Sequence, residues 1–160
     1  MVKQADWCVK VDHMADELAL TALLLGAAST LVEQIHVGVV RRGFDDMRPT
    51  HGFVFARLAP DGATGTEIAE HLGVTKQAAS QLVEELVGKG YAERRPHPSD
   101  ARARLVVLTE RGWACTRAAD EAAADAVGGW IDVLGQERVS ALVTDLYRVA
   151  GRGRLRPAVW

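Results

Sequence analysis

The stretch Thr64-Gly65-Thr66-Glu67-Ile68-Ala69-Glu70-His71-Leu72-Gly73-Val74-Thr75-Lys76-Gln77-Ala78-Ala79-Ser80-Gln81-Leu82-Val83-Glu84-Glu85-Leu86-Val87-Gly88-Lys89-Gly90 decides the fold. Thr64 and Glu67 stand three apart, the spacing at which a Thr hydroxyl and a Glu carboxylate each accept a free backbone amide at a helix start. A short helix over 65–72 follows, and Gly73 ends it. After the tight link Gly73-Val74-Thr75, Thr75 caps a second helix that runs to about Lys89, with Gly90 as its terminating residue. Two short helices joined by a three-residue turn make a helix-turn-helix. Ile68, Leu72, Val74, Ala79, Leu82, Val83 and Leu86 form its small core, which leaves Lys76, Gln77, Ser80, Gln81 and Glu84 together on the other face.

Downstream, residues 91–95 and 104–108 are short strand candidates, the second containing Leu105-Val106-Val107-Leu108. The eight residues between them, Pro96 to Ala103, make the projecting tip of a hairpin, a wing. Thr109 then caps a long helix with an Ala-rich stretch over 118–126 and a bend expected at Gly128-Gly129. A last helix over about 136–150 carries Val139, Leu142, Val143 and Leu146 on one face, and residues 151–160 read as a loose tail.

Upstream, Pro49 suits the first turn of a short helix over 49–58 whose buried set is Phe53, Val54 and Leu58, and Pro60-Asp61-Gly62 forms a turn. Leu18, Thr21, Leu25, Ala28, Val32, Ile35 and Val39 recur at helical spacing, and Leu20, Leu24, Leu31 and Val40 widen the stripe, so residues 12–41 read as one long helix. An apolar face this wide is buried on several sides, against the rest of the fold and against a second copy of itself; a central core helix of a monomer is the other reading. The expected fold is mainly α with a small β-hairpin wing. Residues 48–109 form a winged helix-turn-helix, and residues 1–47 and 110–160 a helical dimerisation region, in one compact unit.

Composition agrees with a globular chain: of 160 residues, 48% are hydrophobic and 25% charged, enough for one good-sized core. The sequence has no secretory pattern, and its most apolar stretch, 18–40, is interrupted by Glu33, Gln34 and His36, so a soluble, cytoplasmic protein without membrane attachment is expected. Cys8 and Cys115 are too few for a disulfide framework and lack metal-ligand spacing. A formal net charge of −2 spread evenly would argue against a nucleic-acid binder. It is not spread evenly: between His71 and Arg104, Lys76, Lys89, Arg94, Arg95, Arg102 and Arg104 outnumber Glu84, Glu85, Glu93 and Asp100, so the balance turns positive where the hairpin and second helix lie.

Reading base edges requires side chains that donate and accept hydrogen bonds from the first turns of a helix that fits the major groove. Thr75, Lys76, Gln77, Ser80 and Gln81 meet that requirement. Gln pairs with an adenine edge in two bonds, Lys with guanine or phosphate, and Ser with base or backbone. Solvation of an ordinary exposed face is the plain alternative for these residues, and the flanking capped helix and wing weigh against it. The wing offers Arg94, Arg95, Arg102 and Arg104; an arginine at a hairpin tip can enter the narrow minor groove, whose negative potential favours a guanidinium. Asp100, two residues before Arg102, is expected to hold that arginine extended through a charge-assisted bond.

The order of these segments, from Pro49-Thr50 through Gly65 to Val74, Gln81 to Leu86, Lys89 to Arg94, Asp100 to Leu105 and Leu108-Thr109-Glu110-Arg111-Gly112, resembles the MarR family of bacterial transcriptional regulators. The resemblance covers nearly the whole chain and is most specific in the wing and the strand run that ends in Leu-Thr-Glu-Arg-Gly. It implies a homodimer held by its first and last helices, with one winged helix-turn-helix per subunit reading half of a pseudo-palindromic operator on double-stranded DNA. The family's wing motif is commonly Asp-Arg-Arg, whereas this chain has Asp100-Ala101-Arg102, so the carry-over extends to minor-groove insertion by Arg102 and not to a contact by the missing first arginine.

The resemblance also implies a repressor released by a small, often phenolic, effector or by oxidation of a thiol. His36, Met47, Phe53, Arg57 and Trp113 are the candidates to line an effector crevice where the first, second and fifth helices meet, with ordinary packing as the alternative. Cys8 lies early in the chain, where some peroxide-sensing relatives carry a reactive cysteine, but no tyrosine lies near it. The five histidines, His13, His36, His51, His71 and His97, include no i, i+4 pair, and the helix after the wing has none, so no zinc site is expected. No nucleophile motif or phosphate loop is present, and neither an enzyme nor a cofactor is expected. The alternative from another class is a winged-helix module that binds a partner protein through the same polar face.

Overall fold

The computed structural model describes residues 16–100 and 102–150. The helices are α1 (Asp16–Arg41), α2 (Pro49–Leu58), α3 (Gly65–Leu72), α4 (Lys76–Gly88), α5 (Glu110–Leu134) and α6 (Gln136–Ala150); the strands are β1 (Ala63–Thr64), β2 (Ala92–Pro96) and β3 (Arg104–Leu108). The strands form an antiparallel sheet in the order β1-β3-β2. The fold class expected from the sequence is the one observed, with one addition: the wing hairpin carries a third strand, β1, whose Ala63 and Thr64 pair with Val106 and Leu105.

The helix starts follow the local chemistry. Thr64 Oγ1 accepts from Glu67 N, while Glu67 Oε2 accepts from Thr64 N at 2.8 Å, a closed capping box. Thr75 caps α4 by accepting from Ala78 N, and Thr109 caps α5 by accepting from Gly112 N. Gly73 closes α3 in the left-handed conformation, φ 71°, which a side chain would penalise. The helix-turn-helix core forms as expected, with Ile68, Leu72, Ala79, Val83 and Leu86 buried and Val74 and Leu82 packed partly buried against them. Each fully buried Ile or Leu contributes roughly 1.5–3 kcal/mol relative to exposure.

Three expectations need correction. Gly128 and Gly129 do not end the helix; α5 runs through them to Leu134, and the break falls at Gly135, φ 85°. A glycine in a helix interior costs only about 1 kcal/mol relative to alanine, too little to stop a ladder that the flanking residues continue. In α2, Phe55 is buried beside Val54 and Leu58, while Phe53 is only half-buried. The first wing strand begins at Ala92, because Tyr91 turns into the core instead. The stretch of the first helix before Asp16, the tail over 151–160 and Cys8 lie outside the described residues.

The second half of α1 is locked to α5. A Cβ on Gly38 would stand 2.5 Å from Ala122 Cβ, so the two helices touch at glycine and alanine. Arg42 then clamps them, donating to Glu121 Oε2 at 3.0 Å and to Asp125 Oδ2 at 2.7 Å. By length and composition α1 is able to cross a membrane, but Val39 in the core and this clamp give its C-terminal half a protein surface to pack on. Its N-terminal half is different: Leu18, Leu20 and Leu23 are each more than half exposed. On α6, Val139 is buried, but Val143, Tyr147 and Val149 are exposed.

Tyr91 sits at the centre of the fold, fully buried. Its hydroxyl donates to Asp46 Oδ1 at 2.5 Å and accepts from Arg111 Nη2 at 3.1 Å, and the Arg111 guanidinium lies 4.3 Å over its ring. Burial, with the Asp46 bond behind it, pushes the Tyr91 hydroxyl up to about 12. Burial likewise pushes the Cys115 thiol up to about 11, which keeps it protonated and poorly nucleophilic near neutral pH.

Tyr91→Phe removes this hydroxyl and is expected to destabilise the protein by about 1–3 kcal/mol in urea titrations. The Tyr91 bond is also the main reason that the Asp46 carboxyl is held below its usual range. A carboxyl lowered on folding adds stability above its unfolded pKa, roughly 3.9, and that stability is lost as pH falls through the lower folded value. The parent protein is therefore expected to lose stability more steeply below about pH 4 than Tyr91→Phe does; equal slopes would show that the bond does not set the Asp46 ionisation.

Candidate nucleic-acid interface

The helix α4 is held from behind. His51, fully buried, accepts from Arg48 N through Nδ1 at 3.1 Å, so its proton sits on Nε2 and is donated to Glu85 Oε2, also at 3.1 Å. Burial holds the His51 pKa below its ordinary value despite the opposing pull of Glu85, so the ring is neutral near pH 7. Glu85 also pairs with Arg48, and the His51 bond holds its carboxyl below the usual range. The brace joins α2 to α4 and points this acidic residue away from the opposite face of the helix.

On that opposite face Lys76, Gln77, Ser80, Gln81 and Glu84 are all exposed, as the spacing predicts. Thr75 is exposed too, with its hydroxyl committed to the cap. Lys76 and Ser80 share a groove of about 370 Å³ with Arg94, Arg104 and the start of α3 at Gly65 and Thr66. Pairing across the sheet explains this grouping: Arg94 stands opposite Val106, and residues directly opposite share a face. Arg94 also reaches Glu84 across the groove at 3.8 Å, which links the wing to the helix.

Arg95 falls elsewhere. It stands opposite Leu105 on the other face of the sheet, pairs with Glu93 at 2.5 Å and borders a separate cavity behind the wing. The alternation of a strand puts neighbouring arginines on opposite faces, which a reading of the pair as one basic cluster overlooks.

At the wing tip Asp100 does not hold the Arg102 side chain. Its Oδ1 accepts the Arg102 backbone amide at 2.9 Å, and its carbonyl accepts Ala103 N at 3.0 Å. A short carboxylate reaches the amide two residues on more readily than a distant guanidinium, the local bond that makes Asp a turn residue. The turn presents Arg102 exposed at the tip, without an ion-pair partner among the described residues.

The five residues expected to line an effector crevice are dispersed in role. Met47 is buried in the core, Phe53 and Trp113 pack partly buried against it, and His36 is half-buried on α1. Arg57 braces the α3 cap, donating to Glu67 Oε1 at 2.6 Å and Gly62 O at 3.1 Å. Of the five, only Trp113 borders the cavity behind the wing. The residues that sequence reasoning missed are the partners of the α4 brace: Glu85 meets His51 and Arg48 across 34 and 37 positions, separations that leave no local pattern.

Two capped helices, a supported exposed face on the second and a three-stranded wing define a winged helix-turn-helix. The MarR family model matches residues 46–103, the stretch that holds the helix-turn-helix and most of the wing. No curated protein matches the chain. Among solved structures with this fold, RV1404 from Mycobacterium tuberculosis is 22% identical, with a TM-score of 0.71 over 88% of this chain and 96% of that one. Wild-type apo MarR from E. coli is 23% identical, with a TM-score of 0.68 over 81% and 96%. A MepR mutant from S. aureus bound to an oligodeoxyribonucleotide is 19% identical, with a TM-score of 0.58 over 81% and 94%.

Thr75→Ala is expected to cost about 1 kcal/mol of stability through the lost α4 cap, with Thr75→Ser close to the parent. Urea titration of both variants checks this, and equal losses in the two would mean that the cap bond is not what Thr75 contributes.

Proposed function

We propose that the chain is a sequence-specific DNA-binding transcriptional regulator, acting in the cytoplasm as a homodimer that represses by occupying a pseudo-palindromic operator and is released by a small effector. The observation that carries this reading is the exposed face of Lys76, Gln77, Ser80 and Gln81, braced from behind by His51 and Glu85 and flanked by a wing with an unpaired Arg102 at its tip. In this reading α4 enters the major groove, Gln77 and Gln81 read base edges, Lys76 and Ser80 contact base or phosphate, and Arg102 enters the adjacent minor groove. Arg94 and Arg104, in the groove with Lys76, face phosphates. Arg95, behind the sheet, is left out of the contact set. The MepR–oligodeoxyribonucleotide structure supports the reading by likeness of fold.

A two-fold site requires a dimer. The exposed leucines of α1 and the exposed Val143, Tyr147 and Val149 of α6 are the apolar surface that a second copy would cover. An effector shifts such a dimer only by binding its two shapes with different affinity.

Light scattering at micromolar concentration is expected to return twice the chain mass; a monomer removes the dimer from the account. Selection from a random duplex library is expected to yield a two-fold symmetric motif, whereas no enrichment favours a protein-binding module. On the selected site, Arg102→Ala is expected to weaken binding about tenfold, near 1.4 kcal/mol, without loss of the dimer. Gln81→Ala is expected to remove about 1–3 kcal/mol of discrimination at one position of each half-site. An unchanged motif after repeated selection would show that Gln81 does not read a base.

A further inference from the structure

Behind the wing, on the face of the sheet away from the α4 groove, lies a cavity of about 730 Å³. Its size falls within the roughly 300–1,000 Å³ of small-molecule sites. The floor is apolar: Leu105 and Val107 of β3 remain half-exposed there, while Val106 and Leu108 between and beyond them are buried in the core. The facing wall is the start of α5, where Glu110, Trp113 and Arg117 stand at i, i+3 and i+7 and so share one side of the helix. The indole lies between a carboxylate at one end and a guanidinium at the other, about 10 Å apart along the helix axis.

The charges at the rim are not equally free. Arg95 is committed to Glu93. Among the described residues Glu110 and Arg117 have no ion-pair partner, and neither does Asp61, which adds a second carboxylate from the turn before β1. The complement of this lining is a flat apolar body with a cation at one end, toward Glu110, and an anion at the other, toward Arg117, with Asp61 a further carboxylate on the lining. A neutral apolar ligand would leave the rim charges unanswered, and a simple anion would meet two carboxylates with one free guanidinium.

We propose that this cavity binds a small aromatic zwitterion whose ammonium and carboxylate lie at opposite ends of the ring. The bound molecule would bridge β3 to α5 at the base of the wing, on the opposite face of the sheet from Arg104, so it would fix the angle of the wing against the rest of the subunit. That consequence for DNA rests on the DNA-binding reading above; the binding itself does not.

Calorimetric titration of the full chain without DNA tests it, using three probes with one ring and three charge states: 4-(aminomethyl)benzoate, benzylamine and benzoate. The zwitterion is expected to bind at least tenfold more tightly than either singly charged probe. Arg117→Gln is expected to reduce its affinity to the level of benzylamine, and Glu110→Gln to weaken it toward that of benzoate, with the melting temperatures of both variants unchanged. No heat from any probe at millimolar concentration overturns the proposal, as do equal affinities for the three or full affinity in Arg117→Gln. Because DNA is absent, a failure of operator binding leaves this result untouched.

Discussion

The buried hydroxyl of Tyr91 is the contact on which the arrangement of the two halves depends. Its partners come from both sides: Asp46 from the link between α1 and α2, Arg111 from the first turn of α5, and the rings of Phe44 and Phe55, whose centroids lie 6.2 and 6.0 Å from its own. Its backbone joins as well, since Tyr91 N donates to Leu86 O at the end of α4 and Tyr91 O accepts from Thr109 N at the start of α5. One residue thus fixes where α4 ends, where the wing begins and how the long helices enter. Leaving such a polar group unpaired in a core costs more than the bond itself contributes, so the geometry around it is tightly constrained.

The charges follow from that constraint. A chain with formal net charge −2 has a basic groove between α4 and the wing, and three nearby acids are paired elsewhere. Glu67 is drawn into the α3 cap and Arg57, Glu85 turns back to His51 and Arg48, and Glu93 is held by Arg95 behind the sheet. Glu84 stays on the exposed face of α4, where it meets Arg94. Net charge is a poor guide when pairing is this uneven; the sign of the surface that remains unpaired is what approaching DNA would meet.

What could be read from the sequence is what short-range chemistry dictates. The caps at Thr64, Thr75 and Thr109, the stop at Gly73 and the start at Pro49 each depend on residues within one turn, and all are found. The exposed set on α4 follows from the same periodicity. What could not be read depends on distant partners or on competition between local states. The two-residue strand β1 exists only because β3 offers its edge. The brace of His51 and Glu85, and the burial of Tyr91 against Asp46, join residues far apart in the chain. Asp100 lies in the wing, between the two strands, but its carboxylate accepts the nearby Arg102 amide and not the guanidinium. The alternation that sends Arg94 and Arg95 to opposite faces follows from the strand itself, and it divides the basic cluster into a part on the α4 groove and a part behind the sheet.

Hydroxyl-radical footprinting on a library-selected operator tests the central claim most directly. A dimer with α4 in the major groove and Arg102 in the flanking minor groove places its two reading helices about 34–36 Å apart or a multiple of that spacing. The predicted footprint is two-fold symmetric, with protected minor-groove segments outside two major-groove half-sites, and the outer protections disappear with Arg102→Ala. A single asymmetric patch, or protection that is identical on random sequence, would contradict it.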